Sequence, residues 1–283
     1  MYWIRDIEVL AGQKKFTNLG DNGMEIEFNI PFGDTEDPDV AEITIYNLTD
    51  STINDIKKDG YIFVNAGYKM LDNKANIFTG EIEEVKTTWS GIDKVTTITA
   101  SDGAKNWRKI SVNKTYAENT KASAIMRDLC NVLGYEIVAI EPKNDISYPL
   151  GKTVTGLASK SLKQLAKDTE SKMFINKNRI TIREENKGYE TGFILNSDTG
   201  LIGSPTLNKD ETGDQTDGVA KEKDKKKNEK TEQSWTVTSL LNAKLETDAI
   251  IKVESKSLNG TFRVKSGRHT KEFNTEMEVV PIE

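Results

Sequence analysis

Cys130 and His269 are the only thiol and the only imidazole in the 283 residues. A cysteine nucleophile needs a base to make its thiolate, so the two would have to meet in space. Cys130 falls on the apolar stripe of an expected helix, the usual place of an inert buried thiol. His269 follows Gly267 and Arg268 in what reads as a polar turn before a strand, where a surface imidazole is expected. One His and one Cys cannot supply the four ligands of a structural zinc site. Carboxylates are more plentiful. A glycosidase sets two across a cleft, and the candidates are Glu81, Glu83, Glu84, Glu184, Glu185, Glu276 and Glu278. Glu81 and Glu83 flank Ile82, and Glu276 and Glu278 flank Met277, so both pairs read as the wet side of an amphipathic strand. Asp34 to Asp39 lacks the spacing of a calcium loop. Gly151-Lys152-Thr153 resembles the end of a phosphate-binding loop, but Ile146 stands where the motif needs its first glycine. The residues therefore point to no catalytic, cofactor-binding or metal-ligating set, and no cofactor is expected.

Composition narrows the class further. Hydrophobic residues make up 36% and charged residues 30%, with a formal net charge of −6. This is the balance of a globular chain with a wet surface, long enough for two or three small domains. An acidic balance argues against a dedicated nucleic-acid binder, which carries a basic stripe, but not against a passage through which DNA slides. No stretch has the length of a membrane span. The opening MYWIRDIEVLAG alternates apolar and charged residues and does not read as a secretory signal. Synthesis in the cytosol without membrane insertion is the expectation, and a single cysteine excludes an intrachain disulfide.

The elements that would position any site divide the chain in three. Residues 1–103 read as a β-barrel-like domain. MEIEFNIPF alternates with Met24, Ile26, Phe28 and Ile30 on one face, and AEITIYNL, YIFVNAGY, IFTGEIEEV and KVTTITA follow between turn residues. Residues 104–190 change period and read as a small α/β domain. Ala122, Ile125, Met126, Leu129, Cys130 and Leu133 form one helical stripe that Gly134 stops. A second helix is expected from Ser161 to about Ser171, then a hairpin turning at Asn176-Lys177-Asn178. Residues 191–283 read as a second β-barrel-like domain. Within it, TGLIGSPTL and WTVTSLL are expected to pair across 209–232, a charged segment of such low apolar content that a mobile loop is expected. Its Lys225-Lys226-Lys227 run is interleaved with Glu222, Asp224, Glu229 and Glu232, without an aromatic for base stacking. The fold class is thus mainly β, with two small barrel-like modules flanking an α/β insert.

The two β modules resemble each other. Residues 56–102 and 245–283 match at Ile56/Leu245, Asp59/Asp248, Val64/Val253 and Gly80/Gly260, each glycine being read as the start of a second strand. Pattern alone leaves open both a duplication and mimicry by any three-stranded meander.

In this order of parts the chain resembles the central hub proteins of phage and prophage tail tips and baseplates, including those of Gram-positive tail machines. The resemblance rests on TGLIGSPT at 199–206, WTVTSLLNAKLETDAIIKVESKSLNGTFRV at 235–264, TEMEVV at 275–280, and FTGEIEEV and ITASDGAKNW ahead of the insert. It implies a virion-tail protein without enzymatic activity, built as a homotrimeric ring with two like barrels per chain. That ring would adapt a sixfold tail tube to a threefold tip and line the DNA path. The implied partners are a distal tail or tail-tube protein, a tape-measure protein, and a tail fibre or lytic tip protein. Many relatives carry a lytic or fibre domain after the last barrel. This sequence stops at Glu283, so such an activity is expected on another polypeptide. The rival classes are a carboxylate-based wall-degrading enzyme and a glycan-binding module. For the latter, Trp3, Trp89, Trp107 and Trp235 are too scattered to form a sugar platform.

Overall fold

The computed structural model describes residues 4–56, 60–208 and 233–282. The 209–232 segment with its lysine run, Trp3 and Asp59 lie outside the described residues. The chain is mainly β, with 55% of residues in strands and 15% in helices. The first part holds β1 (Arg5–Ala11), β2 (Lys14–Thr17), β3 (Ile26–Gly33), β4 (Val40–Tyr46), β5 (Tyr61–Tyr68), β6 (Ala75–Ser90) and β7 (Asp93–Ser101), with a short helix α1 (Asp50–Asp55). Alternation decides which face of these strands is buried. Ile26, Phe28 and Ile30 point into the core and Asn29 to solvent, because successive side chains of a strand project to opposite sides.

The middle part holds α2 (Ala104–Lys109), β8 (Ser111–Tyr116), β9 (Thr120–Lys121), α3 (Ala122–Leu133), β10 (Glu136–Glu141), β11 (Ser147–Tyr148), β12 (Lys152–Leu157), α4 (Ala158–Asp168), β13 (Lys172–Asn176) and β14 (Arg179–Arg183). All six stripe residues of α3 are buried. Gly134 caps α3 at φ 82° and gives its N–H to the carbonyls of Cys130 and Asn131. The second helix begins three residues before the expected start, where Ala158, Ser159 and Leu162 already face the core. In the β13–β14 hairpin Lys177 and Asn178 take positive φ, the requirement of a two-residue turn that matches strand twist.

Leu129 is fully buried among Ile125, Leu133, Leu162 and Ile182. We expect Leu129→Ala to cost about 3 kcal/mol in urea unfolding, through lost burial and the cavity left behind. Asp128, on the opposite face, is not idle. It accepts hydrogen bonds from Lys114 at 2.8 Å and Tyr116 Oη at 2.6 Å, and these hold its carboxyl below the usual range. Asp128→Ala should therefore cost about 1 kcal/mol, still well below Leu129→Ala. Equal costs would show that α3 does not pack through this stripe.

The last part holds β15 (Tyr189–Leu195), β16 (Leu201–Asn208), β17 (Ser234–Leu240), β18 (Ala249–Glu254), β19 (Asn259–His269) and β20 (Asn274–Pro281). As expected, β16 and β17 pair across the charged segment, antiparallel. The first and last parts have their own buried clusters but belong to one 13-stranded sheet. They are joined where β19 pairs with β3, His269 opposite Ile30 and Ser266 opposite Gly33. They also exchange side chains. Phe32 packs in the last cluster, while Leu241 and Phe273 pack in the first.

The repeat has a topological counterpart. Six strands of the first part lie in the order β3-β4-β7-β6-β5-β1, and six of the last in the order β16-β17-β20-β19-β18-β15. Numbered within each part, the permutation is the same. The central rows agree too: Tyr61–Glu81–Ser101 in one, Ile250–Arg263–Val280 in the other. One row further on, β6 breaks register between Ile82 and Glu84, and β19 between Val264 and Ser266. Val64 and Val253 occupy the same row. The orientation of one strand differs, β1 running antiparallel to β5 and β15 parallel to β18. The glycine match is displaced by two rows. Gly80 pairs with Ile62 and lies within β6 rather than at its start, whereas Gly260 pairs with Val253. Each glycine makes room for a phenylalanine on its own strand. A Cβ on Gly80 would lie 2.6 Å from the Phe78 ring, and one on Gly260 would lie 3.4 Å from the Phe262 ring. Phe78 and Gly80 in one module thus stand in the rows of Gly260 and Phe262 in the other.

Candidate functional site

The two residues that chemistry would need together belong to different cores. Cys130 lies in the helical cluster, where burial pushes its thiol up to about 12. His269 is not on the surface. It ends β19, is 1% exposed, packs 5.0 Å from the Phe32 ring, and its Nδ1 lies 3.0 Å from Thr275 Oγ1. Burial pulls the imidazole down to about 3. The expected turn is absent because β19 runs on past β18 to pair with β3, and the β3–β19 seam encloses the ring.

Six of the seven candidate carboxylates are engaged with partners, Glu185 with Arg263 at 3.9 Å, and Glu84 is exposed on β6. Glu83 accepts from Ser101 Oγ at 2.6 Å and from Arg108 at 3.2 Å. Glu81 accepts from Tyr61 at 3.3 Å, and Glu278 from Ser266 at 3.3 Å. Glu276 pairs with Arg268 at 2.6 Å and Glu184 with Lys187 at 3.5 Å. Met277, between Glu276 and Glu278, is buried, as strand alternation requires. Glu276 also borders a cleft of about 430 Å³ at the β3–β19 seam, with Glu27, Glu42, Lys271 and Glu272. Glu272 there is held below its ordinary value, chiefly by a backbone hydrogen bond, the wrong direction for a general acid. Gly151-Lys152-Thr153 opens strand β12, and the Lys152 ammonium lies 4.3 Å from the Tyr148 ring centre. Trp107 is buried and donates to Asp37, Trp235 packs edge-on to Phe262, and Trp89 is 70% exposed. Among the described residues no group of three or more His, Cys, Asp and Glu is placed to hold a metal ion.

Two arrangements escaped sequence reasoning. The first is a buried charge junction where the three parts meet. Asp248 precedes β18 at φ 68° and is fully buried. Its Oδ1 takes hydrogen bonds from Lys172 on β13 and, at 3.1 Å, from Arg263 on β19. Arg183 on β14 lies 3.7 Å from Oδ2. Arg263 also reaches Asp34 just after β3, at 3.5 Å. Lys172 donates further to the carbonyls of Glu185 and Lys187 at 2.8 and 2.9 Å. Burial lowers the Lys172 pKa, and Asp248 opposes that shift. The oppositely charged partners are 15 to 229 positions apart in sequence, so no local pattern could have grouped them.

The second is Asp102, 3% exposed at the end of β7. It accepts the backbone N–H of Lys177 at 2.9 Å and so holds the tip of the β13–β14 hairpin against the first module. Its Oδ1 has no partner. Burial pushes the carboxyl up to about 8. Asp39, whose carbonyl takes the Asp102 N–H at 3.2 Å, is pushed up to about 6, again by burial. The chemistry of both arrangements is that of clamps between parts of the fold.

A family model described as baseplate hub gp41 matches residues 33–252. Among solved structures, the chain is similar to the 43 kDa tail protein of prophage MuSo2 from Shewanella oneidensis, at 12% identity and a TM-score of 0.66, with 98% of each chain covered. It is similar to a tail protein from Neisseria meningitidis MC58 at 10% identity and 0.63, covering 98% of this chain and 97% of that one. It is also similar to the E. coli c3393 protein, a type VI secretion component described as structurally similar to the T4 tail proteins gp27 and gp5. That match has 10% identity and a TM-score of 0.55, covering 92% of this chain and 74% of that one. At such identities these likenesses show a shared fold. None of the curated proteins matches this sequence.

Proposed function

The chain belongs to the baseplate hub gp41 family, a family of the phage tail, and on that premise we propose that it is a non-enzymatic hub that closes as a homotrimeric ring. We read its units as 1–103, 104–190 and 191–283, the first and last being the like modules. The observation that carries the reading is the same six-strand permutation occurring twice in one chain. Three chains then present six similar modules around one axis, able to meet a sixfold tube on one side and a threefold tip on the other. The bore is weakly charged or acidic, consistent with the net charge of −6, because a basic lining would bind DNA phosphates and slow their passage. Its partners are the tail-tube or distal tail protein, the tape-measure protein, and a fibre or lytic tip protein.

Solution mass and wall hydrolysis test this together. We expect a species of about three times 31.6 kDa in native mass spectrometry, and no fragments released from purified cell walls. Wall release abolished by a single Glu or Asp substitution would overturn the non-enzymatic reading. A stable dimer or hexamer would overturn the trimer.

A further inference from the structure

We infer that the cavity between the insert and the last module binds the carboxylate of a compact acid with an apolar body, held by Arg183 and Arg179. This does not rest on the ring reading. Strand alternation builds the cavity. Met173, Ile175, Ile180 and Ile182 of the β13–β14 hairpin face the helical core. Phe174, Asn176, Arg179, Thr181 and Arg183 fall on the other face, with Phe174 opposite Thr181 and Asn176 opposite Arg179. That face meets Glu246, Thr247 and Asp248 of the last module across a cavity of about 230 Å³. Val138 stands at its mouth, 52% exposed, where β10 shifts register between Ile137 and Ala139.

Charge selects the guest. Asp248 gives Oδ1 to both Lys172 and Arg263, and Arg263 also reaches Asp34. Glu246 is shared by Lys177 at 2.7 Å and Arg179 at 3.6 Å. Arg183 is 8% exposed and has no acid of its own. Its nearest is Asp248 at 3.7 Å, already held by two cations. Lys172, Lys177, Arg179, Arg183 and Arg263 thus face Asp34, Glu246, Asp248 and, at 3.9 Å from Arg263, the exposed Glu185. One cation is left over, the reverse of the chain's overall sign, and a buried charge is costly until it is paired. The buried atoms without hydrogen-bond partners among the described residues tell the same story. Arg183 Nε and Arg263 Nη2 are donors, Thr247 Oγ1 can donate, and only Asp248 Oδ2 is limited to accepting. A carboxylate is planar, singly charged and matched to a guanidinium fork. A phosphate dianion would bring its second charge against Glu246 and Asp248. Phe174, 4% exposed, and Val138 give the apolar body its contacts. A free organic acid and the C-terminal residue of another chain share this chemistry.

Ligand-observed saturation-transfer NMR on the full-length chain tests the site with three probes. 4-Methylpentanoate stands for a free acid, N-acetyl-leucine for a chain terminus, and N-acetyl-leucinamide is the uncharged control. Both carboxylates should bind and the amide should not. Tighter binding of N-acetyl-leucine supports the site and identifies a chain terminus as its guest. Tighter binding of 4-methylpentanoate supports it and identifies a free acid. An amide that binds as well as the acids overturns the proposal, because the cations would then not be the recognising groups. Silence from both acids at their highest soluble concentration overturns it too. Arg183→Gln should weaken the acids by about tenfold or more. Val138→Asp sets a negative charge at the mouth and should weaken them as well. At that exposed position it should leave the thermal midpoint unchanged, so it decides the matter even if Arg183→Gln does not fold. Binding that survives Val138→Asp undiminished places the acid elsewhere and overturns the site.

Discussion

Asp248→Ala is expected to lower stability by about 3–5 kcal/mol, because it leaves Lys172, Arg263 and Arg183 facing one another without their shared carboxylate. Taking one ion from a buried cluster removes its attraction but not the cost of keeping the others out of water. Part of the loss is backbone strain, since Asp248 sits at φ 68°, where alanine is disfavoured. Asp248→Asn separates the two effects. Asparagine tolerates that conformation and still accepts hydrogen bonds, so its cost of roughly 2 kcal/mol or more reports the charge alone. Lys252→Ala breaks an exposed pair with Glu254 and should cost within about 0.5 kcal/mol. Urea unfolding monitored by tryptophan fluorescence measures all three. If Asp248→Asn were as mild as Lys252→Ala, the junction would not hold the three parts together.

The second large effect is a gain. Asp102→Asn is expected to stabilise the protein, and more so as pH rises. The folded carboxyl titrates at about 8 against an ordinary 3.8, so the folded state holds a proton that the unfolded chain has released. Its stabilising contribution is fully present below about pH 3.8 and is lost as pH rises through 8. The limiting slope is about 1.4 kcal/mol per pH unit. Asparagine does not titrate, and its oxygen can still accept the Lys177 N–H. The two proteins should be nearly equal at pH 4 and differ by a few kcal/mol at pH 8. His269, pulled down to about 3, removes stability from both as pH falls below its ordinary 6.5, and so cancels in the difference. A pH-independent difference between the parent chain and its Asp102→Asn variant would show that Asp102 is ionised in the fold.

Much of the fold was legible in neighbouring residues. The α3 stripe, its Gly134 stop, the β13–β14 turn and the β3 alternation each depend on residues a few positions apart. A helix or strand sets the face of such residues by geometry alone. The likeness of the two modules was visible as well, at Val64 and Val253. Its glycine pair misled, because a Gly–Phe couple on one strand can run in either order and fill the same volume. Tertiary structure decided the rest. His269 became buried only because β19 outlasts β18 and pairs with a strand more than two hundred residues earlier. Asp102 owes its raised pKa to burial in the folded chain, which no local pattern shows. Asp248 gathers cations from β13, β14 and β19; its match with Asp59 in the repeat picks it out of LETDAII, but nothing in that segment tells that it is buried or which cations it meets. Periodicity carries information about which face of an element is apolar. Which elements meet, and hence the desolvation and charge that each polar group experiences, depends on contacts between residues far apart in sequence.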